Sequence, residues 1–92
     1  MDNTNNVELL HLAADQGDAY AQVRLGLSYA KGEGVPQDYV EAYTWFAVAA
    51  AHGHPKATKY RNLVAKNLTL ERLNQAQQRG TELFEKIEIG KG

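Results

Sequence analysis

Apolar residues recur at helical spacing along almost the whole chain. Val7, Leu10 and Ala14 share one face of a first helix, which this pattern predicts over residues 6–16. A second helix is predicted over about 18–31. Because no stretch of alternating β-branched residues occurs, the sequence predicts no strand. The pattern is typical of an all-α fold of about five helices.

Three more helices are predicted, over about 39–52, 55–66 and 70–88. The segments 1–5 and 89–92 are expected to be loose ends. Short polar residues stand where helices begin, and three of them are predicted N-caps: Asp18, Asp38 and Thr69. The inner side of the fifth helix is predicted to carry Leu70, Leu73, Ala76, Gln77, Gly80, Leu83, Phe84 and Ile87.

The chain repeats itself with a period of 36 residues. The recurring positions are Ala13, Ala14, Gly17, Ala21 and Leu27, which return as Ala49, Ala50, Gly53, Ala57 and Leu63. The first helix is therefore equivalent to the third, and the second to the fourth. Repeated helix pairs bury their apolar faces by stacking on each other, which indicates an α-solenoid.

More than a dozen positions resemble the consensus of the Sel1-like repeat, a relative of the tetratricopeptide repeat. They are Gly17, Ala21, Leu25, Gly26, Tyr29, Gly32, Gly34, Val35, Asp38, Ala42, Trp45, Ala49, Ala50, Gly53 and Ala57. The resemblance covers about 13–57, and "LTLERLNQAQQRG" resembles the cap helix that often follows such repeats. It implies a single domain, 1–92, folded as a short right-handed α-α superhelix. A half-repeat helix (6–16) would precede a complete repeat (18–52), and a degenerate repeat helix plus the cap helix would follow (55–88).

The second repeat departs from this consensus. Arg61, Asn62 and Ala65 stand where a leucine, a glycine and a tyrosine are expected, and no Gly-x-Gly-Val loop follows Lys66. The fourth helix is therefore predicted to be the last, incomplete unit of the stack.

Composition narrows the function classes. The chain has 10 basic and 11 acidic residues, for a formal charge of -1. A chain that is almost neutral has no overall positive potential that would attract nucleic acid or an anionic membrane surface. The chain lacks cysteine, a basic-then-apolar leader at its start and an apolar run long enough for a membrane span. A soluble, cytoplasmic protein is the expectation for the chain as given, with export as the alternative if a further segment precedes it.

Candidate catalytic chemistry is sparse. The Gly-x-Gly at 32–34 could cradle a phosphate, but Gln37 replaces the third glycine of the nucleotide fingerprint, so a turn is favoured. His11, His52 and His54 could form a metal or hydrolytic site, yet no acid stands at a ligand spacing from them. We therefore predict no catalytic, metal-binding or cofactor-binding residue, and no enzyme.

Two rows of side chains are candidates for partner binding. The resemblance implies a concave binding face lined by the first helix of each pair. On the second helix the predicted row lies beside the packing stripe, on a face expected to be exposed, and consists of Tyr20, Val23, Leu27 and Lys31. On the fourth helix it is Lys56, Lys59, Leu63 and Lys66. The alternatives are contact with the cap helix or a second copy for the first row, and a solvated face for the second.

The leading hypothesis is a non-enzymatic adaptor or scaffold that binds a protein or peptide partner without a cofactor, and the lysine row favours an acidic partner. A narrower version is a small inhibitor or immunity-type protein that occludes a toxin or an enzyme. A histidine-based metal or hydrolytic enzyme is the alternative from another class. Self-association that covers the open ends of the stack is a further possibility, as is a place within a longer solenoid.

Overall fold

The structure is an all-α stack. The computed structural model describes residues 3–91, with side chains from residue 6 onward. Five helices occur in this part of the chain, and no strand does: α1 (Asn3–Asp15), α2 (Ala19–Lys31), α3 (Tyr39–Ala51), α4 (Ala57–Ala65) and α5 (Leu70–Lys91). Neighbouring helices pack in the order α1 on α2, α2 on α3 and α3 on α4, while α5 packs on α3. The predicted fold class is confirmed.

The predicted N-caps are confirmed at three helices. The Asp18 carboxylate accepts the backbone N–H groups of Tyr20 and Ala21, at 3.0 and 3.2 Å. Asp38 and Thr69 each accept the N–H of the residue three positions later, at 3.1 and 3.2 Å. Each bond satisfies a donor that the first helical turn leaves unpaired, so these starts are encoded locally.

The outermost helices extend further than the sequence predicts. Loose ends are expected from the sequence at 1–5 and 89–92, whereas residues 3–5 belong to α1 and residues 89–91 to α5. Residues 1, 2 and 92 lie outside the described residues. At the carboxyl end Ile87 is buried in the core, and the Lys91 side chain lies over the turn between α1 and α2. This packing holds the last turn of α5 in place.

The turn after α1 is repeated after α3, as the period of 36 residues predicts. The N–H of Gly17 donates to the carbonyl of Ala14, and that of Gly53 to the carbonyl of Ala50, both at 3.0 Å. Both glycines have positive φ, 95° and 89°. A residue with a side chain rarely adopts this conformation, which explains why glycine stands at both positions.

His54 takes the place of Asp18 in the second turn. Its Nδ1 accepts the N–H of Lys56 at 3.1 Å, as the Asp18 carboxylate accepts the N–H two residues after it. This turn delays the next helix, so α4 begins at Ala57 rather than at residue 55. An imidazole nitrogen thus performs the turn-stabilising role of a carboxylate.

The core consists of two clusters joined by α3. The first cluster lies among α1, α2, α3 and the end of α5: Val7, Ala14, Ala21, Leu25, Trp45, Val48 and Ile87. The second lies mainly among α3, α4 and the start of α5: Val23, Val40, Ala42, Tyr43, Phe46, Ala49, Ala57, Val64 and Ala76. Helices α2, α3 and α5 all contribute to both clusters, and α3 is the central element of the stack because it packs on α2, α4 and α5.

The last helix lies beside α3 and runs in the same direction. Gln77 donates from Nε2 to the Tyr43 hydroxyl at 3.4 Å, and further along both helices Glu88 contacts His52 at 2.6 Å. Most of its predicted inner side packs inward, but Leu70 and Gln77 are exposed. Leu70 is the first residue of α5 and protrudes before the helix reaches the core. No helix within residues 3–91 is both long and apolar enough to cross a bilayer.

Candidate binding surface

The α2 row predicted for partner binding is only partly exposed. Val23 is 5% exposed and belongs to the second core cluster, and Leu27 packs against that cluster. The prediction of an exposed Val23 is therefore wrong. The reason is that α2 lies between two other helices, α1 and α3, so its buried surface is wider than one helical stripe.

Tyr20 and Lys31, at the two ends of the α2 row, are exposed. Tyr20 lies beside α1: together with Leu9, Leu10 and Arg24 it lines a shallow groove of about 440 Å³. The structure thus places Tyr20 at the outer end of the stack and buries Val23. The predicted row does not form one continuous apolar patch.

The α4 row is exposed along its whole length. Lys56, Lys59, Leu63 and Lys66 all face solvent, whereas Ala57 and Val64 are buried on the opposite side of the helix. The spacing of three to four residues keeps the exposed side chains on one face. The four residues therefore form a continuous surface, which we call the α4 strip.

The α4 strip has an uncompensated positive charge. Between Glu41 and Glu71 the sequence contains no acidic residue. None of the strip's three lysines takes part in an ion pair among the described residues. A chain that is almost neutral overall therefore has a local basic surface on α4.

His52 connects three helices. Gln22 is fully buried and donates from Nε2 to the carbonyl of Ala14 at 2.9 Å, so its Oε1 faces His52 Nδ1, also at 2.9 Å. The other ring nitrogen contacts the Glu88 carboxylate at 2.6 Å. The ring also lies against Phe84, with centroids 4.8 Å apart. This arrangement ties α2, α3 and α5 together.

His11 packs within the fold as well. Its Nε2 lies 3.2 Å from the Tyr29 hydroxyl, and its ring meets Trp45 edge-on at 5.7 Å. Burial raises the pKa of Tyr29, and the carboxylates of Glu41 and Asp38 raise it further. The hydroxyl therefore stays protonated and can donate to His11. Among residues 6–91, no group of three or more His, Cys, Asp or Glu side chains is arranged to hold a metal.

Several of these residues are not identified by the sequence analysis. Gln22 and Glu88 contact His52 from 30 and 36 residues away, and no local pattern marks them. Leu9 and Leu12 are exposed, which sequence reasoning also missed. The period of 36 residues makes these two leucines equivalent to Trp45 and Val48. It could therefore have identified them as apolar residues on the side of α1 that a preceding helix pair would cover.

Comparisons with known proteins agree with this architecture. The family model for the Sel1 repeat matches residues 7–18 and 19–54. Among solved structures, the chain is similar to c5321, a protective antigen present in uropathogenic Escherichia coli strains that displays an SLR fold, with a TM-score of 0.90 and 37% identity. The match covers 94% of this chain and 19% of that protein. A comparison with curated proteins finds no match.

Proposed function

Because the chain belongs to the Sel1 repeat family, we propose that it is a non-enzymatic protein-interaction module that binds an acidic segment of a partner protein on the α4 strip. The observation that supports this proposal is the exposed, unpaired row of lysines on α4.

The chemistry of the α4 strip favours an extended or helical acidic segment. Lys59 and Lys66 lie two turns apart on one face, with the apolar side chain of Leu63 between them. Carboxylates spaced along a partner segment can pair with the lysines while an apolar side chain packs on Leu63. Such a surface gains specificity and association rate from charge, and its affinity falls as salt screens the lysines.

The α2 row contributes less than the sequence predicts. Lys31 is exposed and can extend the contact, and Leu27 offers part of its side chain. Tyr20 is exposed beside α1, at the outer end of the stack, and is not part of the proposed surface. Val23 is buried and is excluded from the proposed surface. The proposed contact therefore centres on α4.

Single charge reversals test this proposal. A partner is captured from a lysate of the native cell with the wild-type chain and identified, and its affinity is then measured by calorimetry. We expect Lys59→Glu and Lys66→Glu each to weaken binding by about tenfold or less, since an exposed ion pair contributes about 0.2–1 kcal/mol and reversal adds repulsion. Raising the salt concentration should narrow the difference in affinity between each variant and the wild type.

The matched control is Lys86→Glu, which reverses an exposed lysine on α5 and changes the net charge equally. It should bind like the wild type. Equal affinities for the wild type, Lys59→Glu and Lys66→Glu would overturn the role of the α4 strip. If the captured partner is an enzyme that loses activity on binding, the inhibitor version of this function is favoured over a scaffold.

A further inference from the structure

The outer end of the stack, on α1 and α2, has an exposed apolar centre. Leu9 and Leu12 on α1 are 64% and 61% exposed, and Tyr20 on α2 is 64% exposed. Leu9 and Tyr20 line the same groove together with Arg24. We call this surface the α1/α2 end face.

The internal repeat indicates that such positions are normally covered. The period of 36 residues places Leu9 on Trp45 and Leu12 on Val48. Trp45 and Val48 are 3% and 1% exposed, because α1 and α2 pack on that side of α3. The α1/α2 end face is the same kind of helix surface, and no helix within residues 3–91 packs over it, so burying it would release water from three large side chains.

Charged side chains flank this apolar centre, with acidic residues on one side and a basic residue on the other. On α1, Glu8 and Asp15 share the exposed ridge of Leu12, at helical spacing from it. On α2, Arg24 is exposed one turn after Tyr20. None of these three charged side chains forms an ion pair within the described part of the chain. The end face therefore has an acidic side on α1 and a basic side on α2.

The opposite end of the stack has a different character. The outward side chains of α4 there are mostly polar or charged, namely Lys56, Lys59, Asn62 and Lys66, with Leu63 as the one large apolar side chain among them. Stacking copies head to tail would place these groups against Leu9, Leu12 and Tyr20 and leave them desolvated. Head-to-tail assembly into fibres is therefore disfavoured.

A surface with one acidic and one basic side is complementary to itself. A two-fold axis that runs along the groove between α1 and α2 lays α1 of each copy on α2 of the other. We propose that a second copy of this chain covers the α1/α2 end face, forming a symmetric dimer. Leu9, Leu12 and Tyr20 form its centre, and Glu8 of each copy faces Arg24 of its partner.

The expected dimer is weak and dissociates on dilution. Three large apolar side chains per copy form a small contact, at the low end of specific interfaces, which is below about 1,200 Å² of total buried area. The dimer does not involve the α4 strip. Failure of the dimer and failure of the α4 proposal are therefore distinguishable, and Lys59→Glu should dimerise like the wild type.

Sedimentation velocity over a series of protein concentrations tests the apolar centre. We expect the wild type to pass from monomer to dimer, and the double variant Leu9→Lys/Leu12→Lys to remain a monomer with an unchanged circular dichroism spectrum. The control is Leu70→Lys/Ile89→Lys, because these α5 residues are 74% and 79% exposed and thus equally available for nonspecific association. This control should dimerise normally. A wild type that stays monomeric, or a control variant that loses the dimer, would overturn the proposal.

Charge reversal tests the two-fold arrangement. Glu8→Lys and Arg24→Glu should each raise the dimer dissociation constant about tenfold, since each creates two like-charge contacts in the homodimer. An equal mixture of the two variants should recover near wild-type affinity, because both contacts in the mixed dimer join opposite charges. Failure of the mixture to recover would overturn the pairing of α1 with α2. A wild type that is monomeric at every concentration would overturn the dimer and favour a different occupant of the face, such as a partner helix.

Discussion

At the residue scale, two glycines inside helices have different surroundings. A methyl group on Gly26 of α2 would lie 2.5 Å from Cε1 of Phe46, a fully buried ring of α3. At Gly80 of α5 it would lie 3.4 Å from Cβ of Ala47, an ordinary contact distance. Gly26 is therefore required for the close approach of α2 and α3, whereas Gly80 tolerates a side chain.

This difference gives opposite expectations for the same substitution. Gly26→Ala should destabilise the fold by about 1–3 kcal/mol, because overpacking exceeds the gain in helix propensity. Gly80→Ala should be neutral or stabilise it by up to about 1 kcal/mol. Urea unfolding of both variants measures the free energies. A Gly26→Ala variant as stable as Gly80→Ala would show that Phe46 moves aside without loss.

Trp45 fills the first core cluster but leaves one polar atom unpaired. Its indole N–H is buried and has no hydrogen-bond acceptor among the described residues. Trp45→Ala should cost about 3–5 kcal/mol, since it removes a large buried ring and leaves a cavity. Trp45→Phe should cost much less, because it retains an aromatic ring and removes the unpaired donor. Thermal and urea unfolding compare the two, and equal losses would contradict a role for the N–H.

At the element scale, the contact between His52 and Glu88 fastens the end of α5 to α3. The hydrogen bond from His52 lowers the pKa of Glu88 below its ordinary value of 4.5, and nearby Lys91 lowers it further. The unfolded chain therefore binds a proton on Glu88 more readily than the folded one. The contribution of Glu88 to stability is present above pH 4.5 and is lost as the pH falls through the lowered value.

A glutamine substitution isolates this contribution. Glu88→Gln should lower the unfolding midpoint near neutral pH, and its difference from the wild type should shrink as the pH falls below about 4.5. Glu85→Gln is the control, because Glu85 is exposed on the same helix and forms no ion pair among the described residues. Melting curves across the acidic range measure both. A constant difference between Glu88→Gln and the wild type would contradict the expectation.

The elements divide into those that local sequence encodes and those that it does not. The caps at Asp18, Asp38 and Thr69 depend on bonds to residues two or three positions away, which explains their agreement with the sequence prediction. The burial of Val23 depends on a helix that packs against α2 from elsewhere in the chain. Helical periodicity locates one apolar stripe, but it does not show that helices cover α2 on two sides.

At the scale of the whole molecule, the repeat explains how the helices stack. It does not determine which residues occur on the outer faces of the first and last repeat helices. Family resemblance and the period of 36 residues predicted five stacked helices, and the structure confirms them. The proposed surfaces lie where the repeats stop repeating: Lys56 and Lys59 on α4, Leu9 and Leu12 on α1. At these positions the repeat consensus no longer determines which residue type occurs. The sequence alone therefore did not show which helix faces are exposed and which are covered.

The long last helix changes how the stack should come apart. In a simple solenoid each unit contacts only its neighbours, so either end can fray alone. Here α5 places Ala76 in the second core cluster and Ile87 in the first, and Lys91 reaches the turn at Gly17. Loosening the first helix therefore also removes contacts from the last turn of the chain. We therefore expect the first and last helices to melt together, and the short array to unfold as one cooperative unit rather than as a row of independent repeats.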